Sequence, residues 1–379
     1  MPCDPVLIVD GHLDMAFNAL YHRRDLTQPV HLLREREDPV RSGVSAHPDS
    51  LERRQGPQGG RYTVTVTLPA LRQGRVGIIC STIMARVQLT AQRTDNAVRT
   101  QVAAYAEGMA HLHYYQALER EGEIRFIRSI EDLDACEAAW QNPDEHTPVG
   151  LILTAEGADP ILGPDQVPLW WEGGLRAVSL THFGANTYGH GTGTQGGLYP
   201  PAYPLMDALR EVGMVLDLSH ASDLSFRQIL EYWDGPVHVS HANCRALLRG
   251  QRHLSDEMIR AVADRDGVIG MVFAEQMLSP TWDFDRPEGN YATATRPMSA
   301  VVDHLDHVCQ LLGNARHVAM GTDLDGGYGR ELAPIDYDTS ADLQRFPEIL
   351  RRRGYGEEDV RGICHGNLLG LFRRAWRKA

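Results

Sequence analysis

Residues 213–241 read GMVLDLSHASDLSFRQILEYWDGPVHVSH. An apolar run ends on His220, residues 222–233 read as a helix, and a second apolar run from Pro236 ends on His241. Parallel strands cannot be joined by a tight turn and need a crossover, so strand–helix–strand over about 30 residues is the building unit of a parallel sheet. Both strands close on a histidine.

The same unit recurs in both directions. Runs with strand character end at His12 (VLIVDGH), lie around Cys80 (VGIICSTIM), and end at Glu156 (VGLILTAE), His182 (LRAVSLTH), Phe273 (GVIGMVF) and Asp323 (HVAMGTD), which with the first two makes eight. Helices are predicted over 96–121, 203–212, 222–233, 255–264, 297–312 and 357–377. Eight alternating units predict an α/β protein closed into a (β/α)8 TIM barrel. Residues 1–379 read as one barrel domain with an irregular Arg-, Pro-, Ser- and Gly-rich insertion at about 21–61. The run HGTGTQGG, 190–197, lacks the strand-to-helix setting of a phosphate cradle and reads as a mobile loop lining the site.

Six of the eight strands finish on His, Glu or Asp. Buried apolar strands have no reason to end on ionisable groups unless those groups face a shared site, and barrel enzymes carry their chemistry at the C-terminal strand ends. One such histidine is unremarkable; six such residues are not.

Composition narrows the chemistry. A formal charge of −13 disfavours nucleic acid, which needs a basic surface. A hydrophobic fraction of 42% without a bilayer-length run or signal-like leader predicts a globular cytoplasmic protein that does not enter a membrane. Six scattered cysteines without a CxxC pair argue against a disulfide framework or thiolate zinc site. The only lysine is Lys378, which excludes a Walker loop, a pyridoxal Schiff base and a lysine carbamate bridging two metals.

His12 and Asp14, two apart in DGHLD, can turn toward one ion, and imidazole with carboxylate suits zinc. His220 and His241, on successive strands, can hold a second. Two cations need an anionic bridge, and Glu156 in LTAEGADP is the natural one. Asp323 in GTDLDGG is left to move a proton between the attacking water and the leaving amine, with Asp325 as a competitor that fits a turn better.

Taken in order, DGHLD, TAEGADP, LTHFGANTYG, GLYPPAYPLMDALREVGMVLDLSHASD, VSHANCRAL, RHLSDEMIRAVADRDGVIGMVF and GTDLDGG resemble the membrane (renal) dipeptidase family of binuclear zinc peptidases, and HGNLLGLFRR resembles its closing segment. The resemblance implies two zinc ions per chain, with manganese or cobalt as substitutes. It implies His12 and Asp14 as ligands of one ion, His220 and His241 of the other, and Glu156 as the bridge. It further implies that His182 contacts the substrate carbonyl, Arg252 grips the terminal carboxylate and Asp323 shuttles the proton. The expected substrate is a small dipeptide, with a D-residue accepted at its C-terminal side, and the expected assembly is a homodimer. Two sites differ from the family pattern, Cys80-Ser81-Thr82 and the 21–61 insertion, and both lie where a side chain would be read. A metal-dependent amidase, deacylase or lactonase is the alternative. Packing of His182 on Phe183 and Tyr188, and a solvated basic turn of Arg245, Arg249, Arg252 and His253, are the structural rivals for those two residues.

Overall fold

The computed structural model describes residues 5–37, 63–88, 97–280 and 294–377. The strands are β1 (Ile8–Leu13), β2 (Val76–Ile83), β3 (Arg86–Val87), β4 (Ala97–Val98), β5 (Ile124–Phe126), β6 (Val149–Ala155), β7 (Leu175–Ser179), β8 (Val215–Asp217), β9 (Val237–Val239), β10 (Val268–Met271) and β11 (Val318–Met320). All pairs are parallel. The order β2-β1-β11-β10-β9-β8-β7-β6 is closed by pairing of β2 with β6, so eight strands form the (β/α)8 barrel. Each expected strand lies in this ring. Every residue of β1, β2 and β6 is buried, as expected for strands covered by helices outside and side chains inside.

Three strands were not foreseen. β7 pairs with β6 only along Leu153–Ala155, which leaves the first half of that edge to be covered by β5 at 149–151. β3 and β4 make a separate two-residue pairing beside the mouth.

The helices around the ring are α1 (Met15–Tyr21), α2 (Val30–Glu37), α3 (Leu68–Gln73), α4 (Gln101–Arg120), α5 (Ile130–Ala139), α6 (Val167–Glu172), α7 (Ala202–Glu211), α8 (Asp223–Tyr232), α9 (Asp256–Ala263), α10 (Ser299–Leu312), α11 (Phe346–Arg353), α12 (Glu357–Arg361) and α13 (Asn367–Trp376). Polar caps set several starts: the side chains of Thr100, Ser129, Ser222 and Ser255 accept from the backbone N–H three residues on. The Ser222 cap comes two residues after His220, so the chain leaves the mouth and enters α8 at once.

The last helix expected from sequence, 357–377, is interrupted by a π turn at Gly362–Gly366. Asn367 follows it, and its Nδ2 donates to the carbonyls of Ala315 (2.7 Å) and Val318 (2.8 Å), which ties α13 to the start of β11. Of the 21–61 segment, residues 21–37 are described and contain α2, held through Arg34 to Val64 O and Asp338; residues 38–61 lie outside the described residues, as do Cys3 and Lys378. Among the described residues no helix is long and apolar enough to cross a membrane.

Candidate metal centre at the barrel mouth

The ionisable residues expected at the strand ends lie mostly one to three positions beyond them: only His12 is inside its strand. A ladder stops where the backbone can no longer pair, and His220 and Asp323 sit at φ 61° and 59°, in the left-handed region. For a residue with a Cβ this conformation costs on the order of 1–3 kcal/mol, and such strain gathers at functional sites. The turn aims both side chains into the mouth.

There, one carboxylate oxygen meets four imidazoles. Glu156 Oε1 is 3.1 Å from His220 Nε2, 3.3 Å from His241 Nε2, 3.3 Å from His182 Nε2 and 3.6 Å from His12 Nε2. Asp14 Oδ1 and Asp323 Oδ1 each lie 3.9 Å from His12 Nε2. The donor atoms form three overlapping groups, each within 4.8 Å: His12, Glu156 and His241; Glu156, His182 and His220; His12, Asp14 and Asp323. All seven residues named for the site from the strand ends therefore converge, although the overlapping groups do not by themselves divide them into two ligand sets.

Arg252 joins them from the side. It is 7% exposed and lines a narrow cleft with His220 and Gln251. Among the described residues no hydrogen bond or ion pair engages its guanidinium, which faces the carboxylates of Asp323, Glu156 and Asp217. The solvated basic turn does not form: Arg245 is instead bidentate to Asp223 at 2.8 and 2.9 Å. His182 does contact Phe183 edge-on, with ring centroids 5.1 Å apart, while its Nε2 stays in the cluster. Asp325 is the turn residue expected, accepting from Thr65 N, Thr65 Oγ1 and Val66 N.

Burial pulls His12, His182, His220 and His241 below their ordinary values and so holds these rings neutral. Burial pushes Glu156 up, but the imidazoles around it, with a hydrogen bond from His182, outweigh this and hold its carboxyl well below the usual range. Asp14 and Asp323 are raised well above the usual carboxylate range, by burial first and then by the acids beside them. Neutral donors and crowded carboxylates in a closed space suit a bound cation.

The outer partners sharpen that point. Ser240 Oγ lies 3.2 Å from His12 Nδ1, 2.7 Å from His241 Nδ1 and 3.1 Å from Ser219 Oγ. A hydroxyl has one proton and two lone pairs; with its proton given to Ser219, Ser240 can accept Nδ1–H from both rings. Thr192 Oγ1, which donates to His220 O, can accept in the same way from His220 Nδ1 at 3.1 Å. Three Nε2 lone pairs then point inward: His12 Nε2 is buried with no hydrogen-bond partner, and those of His220 and His241 face each other at 3.0 Å. Converging lone pairs repel unless a cation lies among them, and imidazole with carboxylate is the donor set zinc takes. The residues present fit divalent metal.

Sequence reading missed these partners. Ser219 and Ser240 each directly precede a site histidine, and this repeated Ser-His at successive strand ends was a usable signal; both backbone N–H groups donate to Asp217 Oδ1 at 2.9 Å. Thr82 donates to Asp14 Oδ1, and Arg86 Nη1 lies 3.3 Å from His182 Nδ1. Nothing in the sequence marked Arg86.

The 190–197 loop lines the site through Thr192 but is firmly held, with Thr192 N donating to His182 O at 3.0 Å and Gly191 N to Gly184 O at 2.8 Å. A Cβ at Gly191 would come within 1.7 Å of His182 O. Gly191→Ala should therefore destabilise the protein by roughly 1–3 kcal/mol, the scale of overpacking, and loosen metal binding with it. Denaturant midpoints of the metal-loaded protein check this; an unchanged midpoint would show that the loop can move aside freely.

The sequence profile of the membrane dipeptidase family (peptidase family M19) matches residues 3–379. The chain is similar to an uncharacterized Klebsiella pneumoniae protein from the pqqA 5' region (25% identity, 68% of this chain and 91% of that one). It is also similar to dipeptidase aclJ of Aspergillus oryzae (27%, 60% and 52%) and to rat (Rattus norvegicus) dipeptidase 3 (27%, 45% and 32%), so about half or less of those named dipeptidases is spanned. Among solved structures, the dipeptidase AC metallopeptidase superposes with a TM-score of 0.76 at 22% identity over 98% of this chain and 99% of that one. A metallopeptidase from Rhodobacter sphaeroides liganded with a phosphinate mimic of the dipeptide L-Ala-D-Ala superposes at 0.73 with 22% identity over 98% and 100%. At such identities the superpositions establish the shared fold.

Proposed function

The chain belongs to the membrane dipeptidase family and is a metallopeptidase, a hydrolase of peptide bonds, and from that premise we propose that it cleaves small free dipeptides at a centre for two zinc ions. The observation that carries this reading is the convergence of four buried imidazole nitrogens on one oxygen of Glu156. We assign His12 and Asp14 to one ion, His220 and His241 to the other, and Glu156 to both. Bound there, the ions would supply Lewis acidity to the scissile carbonyl and lower the pKa of a water.

The chain's own residues do the rest. Arg252, buried beside the cluster with the charges of Asp323 and Glu156 acting on it, binds the C-terminal carboxylate of the substrate and fixes its distance from the scissile bond. His182 donates to the carbonyl oxygen as it gains charge. Asp323 takes the proton of the attacking water and returns it to the departing amine. Its side chain is 16% exposed, against 4% or less for His12, Asp14, Glu156, His220 and His241, and this access suits a group that exchanges protons with substrate.

Acceptance of a D-residue at the C-terminal side is part of the proposal; the phosphinate mimic of L-Ala-D-Ala in the Rhodobacter sphaeroides relative speaks for it. So is a cytoplasmic location, supported by the free thiols of Cys80, Cys136, Cys244, Cys309 and Cys364, which suit a reducing compartment.

The experiment is a substrate comparison. Arg252→Ala should cost about 2–5 kcal/mol in kcat/KM on free dipeptides, the scale for removing one partner of a buried charge pair, and much less on the corresponding dipeptide amides. Equal losses on both would make Arg252 structural and favour an amidase or lactonase acting on neutral substrates.

A further inference from the structure

Distance alone does not say whether His182 is a metal ligand or a hydrogen-bond donor, because its Nε2 groups with Glu156 and His220 as closely as any ligand set in the cavity. We propose that Arg86 decides this: it is a positioning residue that fixes His182 with its proton on Nε2, which makes the ring a donor toward the substrate carbonyl and keeps it out of the metal's donor set. The proposal rests on the dipeptidase reading of the site.

A guanidinium has only donors. With Arg86 Nη1 3.3 Å from His182 Nδ1, that nitrogen must offer its lone pair, and the single proton of the neutral ring must sit on Nε2. Protonating both nitrogens would set donor against donor and place two cations side by side in a buried space. The Nε2–H so produced points at Glu156 Oε1, 3.3 Å away, an acceptor that suits it.

The other three rings carry the opposite arrangement. Each has a hydroxyl at Nδ1, Ser240 Oγ for His12 and His241 and Thr192 Oγ1 for His220; a hydroxyl can accept Nδ1–H, as a guanidinium cannot, and a ring so placed turns its Nε2 lone pair inward. Hydroxyl partners make ligands and the guanidinium partner makes a donor. Four chemically identical side chains around one carboxylate are thus sorted into three ligands and one hydrogen-bonding group by what touches their far sides.

Arg86 is held for this purpose. It begins β3, whose next residue, Val87, donates its N–H to Asp159 Oδ2 at 2.8 Å. The other oxygen of Asp159 accepts from Thr187 N at 3.0 Å, on the segment that follows His182. One carboxylate therefore ties the strand carrying Arg86 to the loop carrying its partner.

The test reads the tautomer directly. Protein labelled with 15N-histidine, metal-free and zinc-loaded, is studied by long-range 1H–15N correlation, with His182→Asn assigning the signal. His182 should show an Nε2–H pattern in both states; an Nδ1–H pattern in the wild type overturns the proposal without any variant. Arg86→Met should release the ring toward Nδ1–H and lower kcat by about tenfold to a hundredfold, the lower range for weakening an oxyanion donor, with KM and zinc content within about twofold. Arg86→Lys, still a donor, should restore most of kcat and the Nε2–H pattern. An unchanged tautomer in Arg86→Met also overturns the proposal. Failure of the dipeptidase reading looks different: wild-type protein would then bind no metal and cleave no dipeptide, while the metal-free spectrum would still report on Arg86.

Discussion

Glu156→Ala protein should emerge folded, without bound metal and without peptidase activity. Among the described residues Glu156 is the one side chain within 3.1–3.6 Å of all four imidazole nitrogens, and it is buried, so its removal takes the shared negative charge from both proposed ions at once. Without that charge two neighbouring cations repel unscreened in a low-dielectric pocket. Loss of both Lewis acids removes several kcal/mol of transition-state stabilisation, at least about a thousandfold in kcat/KM. Glu156→Gln keeps the shape and loses the charge, so it should behave nearly as badly. Metal analysis beside circular dichroism and steady-state kinetics checks this, and a variant that kept its ions with turnover within tenfold of wild type would exclude Glu156 as the bridge. His12→Ala, which touches only part of the cluster, should cost chiefly one ion.

Asp323→Asn should separate proton transfer from metal binding. The substitution is well suited to the position, because Asp323 sits at φ 59° and asparagine adopts the left-handed conformation as readily as aspartate. Backbone geometry and metal content should survive, while kcat falls by about two to four orders of magnitude, the range for a lost positioned acid–base group. Loss of an ion in this variant would instead make Asp323 a ligand beside His12 and Asp14, with which it forms a close donor group. Near-normal kcat would remove it from the reaction.

The barrel was legible because its strands are buried on both faces and write themselves as unbroken apolar runs, six of the eight closed by a residue that apolar burial cannot explain. The site was legible for the same reason: His12, Glu156, His182, His220, His241 and Asp323 stand where hydrophobic sequence stops. Their exact relation to the strands was not, since a left-handed turn at His220 or Asp323 is a property of the loop and leaves no pattern in a run of residues. The helix at Val30–Glu37 was hidden by a composition rich in charge, its anchoring supplied by partners such as Asp338 about three hundred residues away. The same holds for Arg86, which reaches His182 across the mouth from a two-residue strand. Contacts between distant loops carry no local periodicity, so side chains that orient the site histidines stayed invisible while the histidines themselves stood out.

The assignment of paired ions is tested most directly by counting them. Native mass spectrometry of protein stripped with chelator, reconstituted with zinc and dialysed free of excess should give about two ions per folded chain, the occupancy of a two-metal site. A chain that holds a single ion, or none, after reconstitution would contradict it.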